Sequence, residues 1–191
     1  LYHHFASKED LLIAVCTELT TTRREYFEKV AHSDLSSRDK MLGFSLAYSL
    51  FAQHYPEHFR LEQYIMTEVV WLASSPSRRE QFLTATQPIG RMVEQVVRDA
   101  IGNNELEDHG QDPLTFSIGQ WSMAMGMHTL IYADGILDIF DLKVLHRLLL
   151  RNVQLQLNAI QWQPLDDNPF YVAPLISTVI RLSDRMSLIL V

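Results

Sequence analysis

Three side chains near the start of the chain could hold an anion: His3, His4 and Lys8. The aromatic residues Tyr2 and Phe5 are spaced to lie on one face of a helical turn, so they can pack inward and leave the basic groups outside. Ser7 is a good N-cap, and Asp10 three residues later completes a pair resembling a capping box. A helix is therefore predicted to begin at Ser7, with basic side chains near its start that can face an anion.

Residues 1–12, Leu-Tyr-His-His-Phe-Ala-Ser-Lys-Glu-Asp-Leu-Leu, carry a family resemblance. The string resembles the boundary between the recognition helix and the following helix in the tetracycline-repressor (TetR) family of bacterial transcriptional regulators. The resemblance implies that residues 1–12 end a helix-turn-helix head and that residues 13–191 form an effector-binding and dimerisation domain. It also places Tyr2, His3, His4 and Lys8 at phosphates, contacts that position a protein but read no bases. The base-reading helices are expected to precede Leu1 in a longer protein.

Composition limits what most of the chain can do. The formal net charge is −7, and a domain whose main surface binds nucleic acid is expected to be basic. The 191 residues are 47% hydrophobic, which is enough for a substantial core. No apolar run approaches the ~18 residues of a membrane span, so no membrane partner and a cytoplasmic location are expected. The single cysteine, Cys16, excludes an internal disulfide and is expected to be a small buried apolar residue.

Proline, glycine and capping residues divide the chain into helical segments, and no window shows the alternation typical of a strand. The fold class predicted is all-α, with a TetR-like body. A bend is expected near Pro88, and the helix that follows Pro113 is apolar on nearly every face, which predicts burial from several sides. The predicted helices span about 7–32, 37–55, 56–74, 75–101, 112–133 and, starting at Asp138 or Asp141, a last segment to Trp162.

The last of these helices carries two apolar stripes and needs two partners. One stripe is predicted to form a symmetric homodimer interface, since a single subunit readily covers only the other. The alternative is a helix sunk in its own core. The second stripe contains Val144, Leu148 and Leu155, and the predicted dimer interface is Leu142, Leu145, Leu149, Val153 and Ile160.

The middle helices are rich in methionine and tryptophan, which suit either an adaptable ligand pocket or an irregular core. Polar residues beside these apolar stripes would be costly unless a ligand, water or neighbour satisfied them. His128 taken alone fits a satisfied core histidine. The predicted ligand pocket consists of Met66, Met92, Gln95, Gln120, Trp121, Met123 and His128.

Other chemistry finds little support in the sequence. His54 and His58 are four residues apart, but Pro56 separates them into different helices, so no metal site is predicted. Ser45 lies within a helical pattern and lacks the strand that a nucleophile elbow needs. We therefore expect no enzyme and no cofactor. The predicted function is a homodimeric, ligand-responsive, DNA-binding transcriptional regulator whose effector is an apolar or amphipathic small molecule. The alternative is a helical carrier or protein-interaction module without DNA binding.

Overall fold

The computed structural model describes residues 5–138 and 145–166, and within these ranges it contains helices and no strand. The all-α fold class is confirmed for this part of the chain. No described helix is both long and apolar enough to cross a membrane. The helices are α1 (Lys8–Ala31), α2 (Ser37–His54), α3 (Pro56–Ile65), α4 (Glu68–Ala73), α5 (Pro76–Gly102), α6 (Thr115–Tyr132) and α7 (Leu145–Ala159).

Side-chain caps fix the beginnings of three helices. The Ser7 hydroxyl accepts a hydrogen bond from the backbone N–H of Asp10 at 3.0 Å, which confirms the predicted start of α1. Ser36 caps α2 in the same way, and Ser75 caps α5 immediately before Pro76. These bonds satisfy N–H groups that have no partner inside a helix, so the local sequence alone determines where the helices start.

The segment predicted as one helix from Pro56 to Ser74 is two helices. Met66 ends α3, and Thr67 takes an extended conformation before α4 begins. The Thr67 hydroxyl donates to the Tyr64 carbonyl at 2.8 Å, a local bond that competes with the continuing helix. α4 therefore leaves in a new direction.

α2 is the central helix, as the sequence predicted. Its residues from Met41 to Ala52 are all buried, and it contacts α1, α3, α5, α6 and α7. A second, smaller core lies beneath the first half of α1 and joins it to α3, α4 and α5. Its buried members are Ile13, Cys16, Ile65, Val70 and Phe82.

The prediction that the helix after Pro113 is buried from several sides is wrong. Only Gln120, Ala124 and His128 of α6 are buried, a line of residues four apart that faces the body. Ile118 and Trp121 remain 51% and 46% exposed. Apolar side chains on every face allow a helix to be buried on all sides but do not require it, and α6 lies at the edge of the bundle.

The stripe of α7 that was predicted to face a dimer partner faces the chain's own core at Leu149 and Val153. Leu149 and Val153 are completely buried against the chain's own core, so they leave no surface for a dimer partner. Ile160, beyond the end of α7, is half-buried against that core. Leu142 and the side chain of Leu145 lie outside the described residues. Leu155, from the second stripe, is 42% exposed.

A buried arginine fastens the start of α2 to the end of α7. Arg38 donates to the Trp162 carbonyl at 2.6 Å and to the side-chain oxygens of Gln154 and Asn158 at 2.8 and 2.6 Å. The completely buried Trp162 indole donates to the Ser37 hydroxyl at 2.9 Å. We refer to Ser37, Arg38, Gln154, Asn158 and Trp162 as the Arg38 clamp.

Candidate functional site

A cavity of about 350 Å³ lies among α1, α2, α3, α5 and α6. This volume falls within the usual range for small-molecule sites. Most of its lining is apolar, with a small number of polar side chains. The apolar lining consists of Phe27, Met41, Phe44, Met66, Phe82, Leu83, Ile89, Val93, Leu114, Ile118, Trp121 and Ala124. The other lining residues are Arg23, Ser45, Tyr48, Glu62, Thr86, Gly90, Ser117 and Gln120.

Helical periodicity brings two charged residues to the cavity wall. The buried face of α1 contains Cys16, Thr20, Arg23 and Phe27, spaced by three or four residues. The buried face of α3 contains Phe59, Glu62 and Ile65, spaced by three. Each charged residue therefore lies within an otherwise largely apolar stripe, and the packing of α3 against α1 carries both charges into the interior.

Arg23 and Glu62 form a buried ion pair between guanidinium Nη1 and carboxylate Oε1. Their exposed fractions are 6% and 3%. Burial lowers the pKa of the Arg23 guanidinium, which nonetheless stays charged because arginine starts from so high a value. The pair cancels its own charge, and removing either partner would leave an uncompensated ion in the interior.

Tyr48 is a buried neutral phenol at the cavity wall. Its hydroxyl donates to the Met125 sulfur, and its ring packs edge-on against Phe59. Burial raises the pKa of Tyr48 well above its ordinary value, so the phenolate is not formed near neutral pH. The residue is suited to shaping the wall and donating a hydrogen bond, and it is unsuited to acting as a base.

Ser45 on α2 and Gln120 on α6 both line the cavity, and both residues are buried. Across the described part of the chain, no residue forms a hydrogen bond with the Ser45 hydroxyl or the Gln120 amide. Neither side chain has a polar atom that is both cut off from solvent and without a partner, so their polar atoms keep some accessible surface where the two residues line the cavity. These two side chains are available to a molecule in the cavity.

The cavity opens between α5 and α6. Leu83, Leu114, Ile118 and Trp121 line it and are also substantially exposed, so they form its mouth. α5 runs without interruption through Pro88, and Ile89 and Gly90 directly after it form part of the wall. A Cβ atom added at Gly90 would meet no other atom within 4 Å, which shows how open this part of the wall is.

A second, more open depression of about 400 Å³ lies between α4 and α5. Trp71, Leu83 and Gln87 line it, and the Arg79 side chain at its edge donates to the Trp71 carbonyl at 2.9 Å. Its charged groups are near solvent and need no ligand to satisfy them. The cavity among α1, α2, α3, α5 and α6 is therefore the stronger candidate for a binding site.

Three of the seven predicted pocket residues line the cavity: Met66, Gln120 and Trp121. Met92 and Met123 pack, half-buried, against the main core instead. The position predicted for Gln95 is wrong, because it is exposed and donates to Asp99 at 2.8 Å. The reason is the direction in which Gln95 points around the axis of α5. The α5 residues that line the cavity are at positions 82, 83, 86, 89, 90 and 93, and position 95 points away from that face.

His128 matches the alternative that the sequence left open, a core histidine. It is completely buried, and its Nδ1 lies 2.8 Å from the Ala124 carbonyl oxygen. Its ring packs against those of Tyr48 and Phe59. It is not among the residues that line the cavity.

Sequence reasoning missed Arg23, Ser45, Tyr48 and Glu62. One signal could have found the charged pair: each of its members interrupts a stripe whose other members are mostly apolar. A charge in such a position is either at the surface or paired inside. The sequence could not identify the partner, because Arg23 and Glu62 are brought together only by tertiary packing.

The predicted phosphate contacts lie almost entirely outside the described residues, which do not include Tyr2, His3 or His4. Lys8 is the first residue of α1 and is exposed. The Arg78 guanidinium lies 5.1 Å from the centre of the Phe5 ring, close to the start of α1. The role of Lys8 at a phosphate stays a prediction.

The cysteine and histidine side chains that could perform other chemistry are buried or contact neighbouring side chains. Cys16 is buried as predicted, and burial raises the pKa of its thiol to about 11. His54 Nδ1 lies 2.9 Å from the Tyr26 hydroxyl, and the His58 ring stacks on Tyr55. Within residues 5–138 and 145–166, no three His, Cys, Asp or Glu side chains are grouped to hold a metal ion.

No family model, no curated protein and no solved structure matches this chain.

Proposed function

We propose that this chain contains the effector-binding body of a ligand-responsive transcriptional regulator of the TetR type. The observation that supports the proposal is that one helix, α1, adjoins both the segment that resembles a DNA-binding head and the cavity. Its capped start follows the segment that resembles the end of a DNA-binding head, and Arg23 on the same helix forms part of the cavity wall. The two points are separated by about 24 Å of helix.

The start of α1 is tied directly to a helix that lines the cavity. The buried Asp10 carboxylate accepts a hydrogen bond from the Ser75 backbone N–H at 2.7 Å, at the residue that caps α5. Farther along, Phe82 of α5 belongs both to the smaller core beneath α1 and to the cavity wall. A ligand that displaces α5 would therefore also displace the first turn of α1, provided that it binds one arrangement better than the other.

The proposed regulator acts as a homodimer, since paired heads read half-sites about one turn of DNA apart. With Leu149 and Val153 in the core, we assign the contact to the other side of α7, which contains Leu155. Light scattering after size exclusion tests this assignment. Leu155→Glu is expected to give monomers at concentrations where the parent chain and the Leu72→Glu control, at an exposed leucine of α4, are dimers. A monomeric parent chain would contradict the assignment.

The function is tested with the product of the whole gene. Selection from a random DNA library at about 0.15 M salt, where weak phosphate contacts are screened, is expected to enrich one palindromic sequence. Affinity for that sequence is then measured with and without small molecules that bind the cavity. If no sequence is enriched, the regulator proposal is overturned, and a helical carrier or interaction module takes its place.

A further inference from the structure

The cavity already balances the charge it contains. Its lining includes one positive group, Arg23, and one negative group, Glu62, and the two are paired with each other. A ligand carboxylate that reached Arg23 would have to displace Glu62, and an ammonium that reached Glu62 would have to displace Arg23. Either exchange leaves one ion uncompensated in an apolar interior, which is expensive. The wall therefore disfavours ions of both signs.

Arg23 Nε and Glu62 Oε1 have no hydrogen-bond partner, but burial leaves both atoms without accessible surface, so the polar groups that remain accessible to a ligand are neutral. Gln120 offers an amide N–H and a carbonyl oxygen, Ser45 offers a hydroxyl, and each of these side chains is more than nine-tenths buried. Both can donate and accept. A hydroxyl, carbonyl or amide on a ligand would satisfy them, whereas a purely apolar molecule would leave them without a partner.

The size and shape of the space favour aromatic rings. An engineered apolar cavity of about 150 Å³ holds benzene. The volume here, about 350 Å³, is roughly twice that and corresponds to two fused rings. Phe27 and Phe44 stack with their centres 5.4 Å apart in the wall, and Phe82 and Trp121 provide further ring surface. Aromatic rings pack well against such surfaces in offset or edge-on arrangements.

We infer that the cavity binds an uncharged molecule of about two rings whose single polar group forms hydrogen bonds with Gln120 and Ser45. This inference rests on the proposed function only in taking the cavity as the effector site, and it does not depend on DNA binding. The Arg23–Glu62 pair then acts as a fixed neutral wall that selects against charged analogues of the same shape.

Four probes of nearly the same shape test the inference. They are 2-naphthol, 2-methylnaphthalene, 2-naphthoate and 2-naphthylmethylammonium, compared by equilibrium dialysis at about pH 7. We expect 2-naphthol to bind about 3- to 10-fold more tightly than 2-methylnaphthalene, the effect of one or two satisfied hydrogen bonds. We expect both ions to bind at least about tenfold more weakly than 2-naphthol. Tightest binding of the carboxylate or of the ammonium would overturn the inference, as would failure of all four probes to bind.

Two variants locate the polar contact, and a third controls for the replacement of a helical glutamine by leucine. Gln120→Leu is expected to abolish the preference for 2-naphthol over 2-methylnaphthalene, and Ser45→Ala to reduce it about threefold. Gln95→Leu changes an exposed glutamine of α5 in the same way and is expected to leave the preference unchanged. If the preference survives both Gln120→Leu and Ser45→Ala, the proposed contact is wrong.

The outcome separates the inference from the proposed function. Binding of 2-naphthol with the expected selectivity supports the inference even if the whole gene product selects no DNA sequence. Conversely, an enriched DNA sequence together with a failure of all four probes would support the regulator and overturn the ligand class.

Discussion

Two buried arginines, Arg23 on α1 and Arg38 on α2, show how differently one residue type can be used in a single helical body. Arg38 donates to neutral oxygens of Gln154, Asn158 and Trp162, and closely packed side chains surround it. Arg23 is paired with one charged partner, Glu62, and lies beside an open cavity. Burial lowers the pKa of both guanidinium groups, so desolvation does not distinguish them. The difference lies in what surrounds each group.

The regions around Arg38 and Arg23 therefore have different roles. In the Arg38 clamp, one side chain joins three segments of the chain, and none of the clamp residues lines the cavity. Around Arg23, the charge is balanced but Ser45 and Gln120 still lack partners. A buried cation alone therefore does not identify a binding site. Neighbouring space together with unsatisfied neutral polar groups does.

Arg23→Met is expected to produce the largest loss of stability. The substitution leaves Glu62 buried without a counter-charge, which costs about 3–5 kcal/mol. The double variant Arg23→Met with Glu62→Leu removes both ions and is expected to recover most of that loss. Urea unfolding at neutral pH measures both. If the single and double variants are equally unstable, the pair is not the source of the effect.

Arg38→Met is expected to cost less, about 2–3 kcal/mol. The side chains of Gln154 and Asn158 that lose their donor are neutral, and Asn158 is only half-buried, so water can replace part of the interaction. The same urea titrations give the value, with the exposed Arg147→Met as the control on α7. A loss larger than that of Arg23→Met would reverse the ranking of the two regions and contradict the comparison.

Gly90→Leu tests whether the space beside Arg23 is open. An added Cβ meets no atom within 4 Å, and glycine inside a helix is destabilising by about 0.5–1 kcal/mol relative to alanine. Stability is therefore expected to be retained or raised slightly, while affinity for 2-naphthol falls about tenfold or more because the side chain occupies the cavity.

Gly126→Leu on α6 is the control for this substitution. Its Cβ also meets no atom within 4 Å, but Gly126 does not line the cavity, so 2-naphthol binding should not change. Equal loss of binding in the two variants would show that the effect of Gly90→Leu is not specific to the cavity.

The sequence predicted the parts of the fold that depend on local chemistry. The Ser7 cap, the helix start at Pro56 and the Ser75-Pro76 start all match, because each depends on neighbouring residues. The faces of α6 and α7 could not be assigned in this way. Both helices have apolar residues in several directions, and only the tertiary arrangement decides which direction meets α2.

The same limit applies to the candidate site. Methionine and tryptophan content indicated the middle helices correctly, and Met66, Gln120 and Trp121 line the cavity. The polar centre depends on α1 meeting α3, a contact between residues 39 positions apart in the pair Arg23 and Glu62. Nothing in the local sequence of either helix determines that pairing.

Cys16 lies on the buried face of α1, closer to the start of the helix than Arg23, and the smallest effect is expected there. Burial raises the pKa of its thiol to about 11 from an ordinary value near 9, with Arg23 acting in the opposite direction. The native chain at about pH 8 is therefore expected to react with a disulfide reagent at least about 100-fold more slowly than the urea-unfolded chain, because the thiolate is the reactive form.

The raised pKa of the Cys16 thiol also means that the stability contributed by the neutral thiol is present below about pH 9 and is lost as the pH rises toward 11. Cys16→Ala should remove that component of the pH dependence. Rapid reaction of the native thiol would show that the smaller core beneath α1 opens easily, and α1 could not then carry a displacement from the cavity to its first turn.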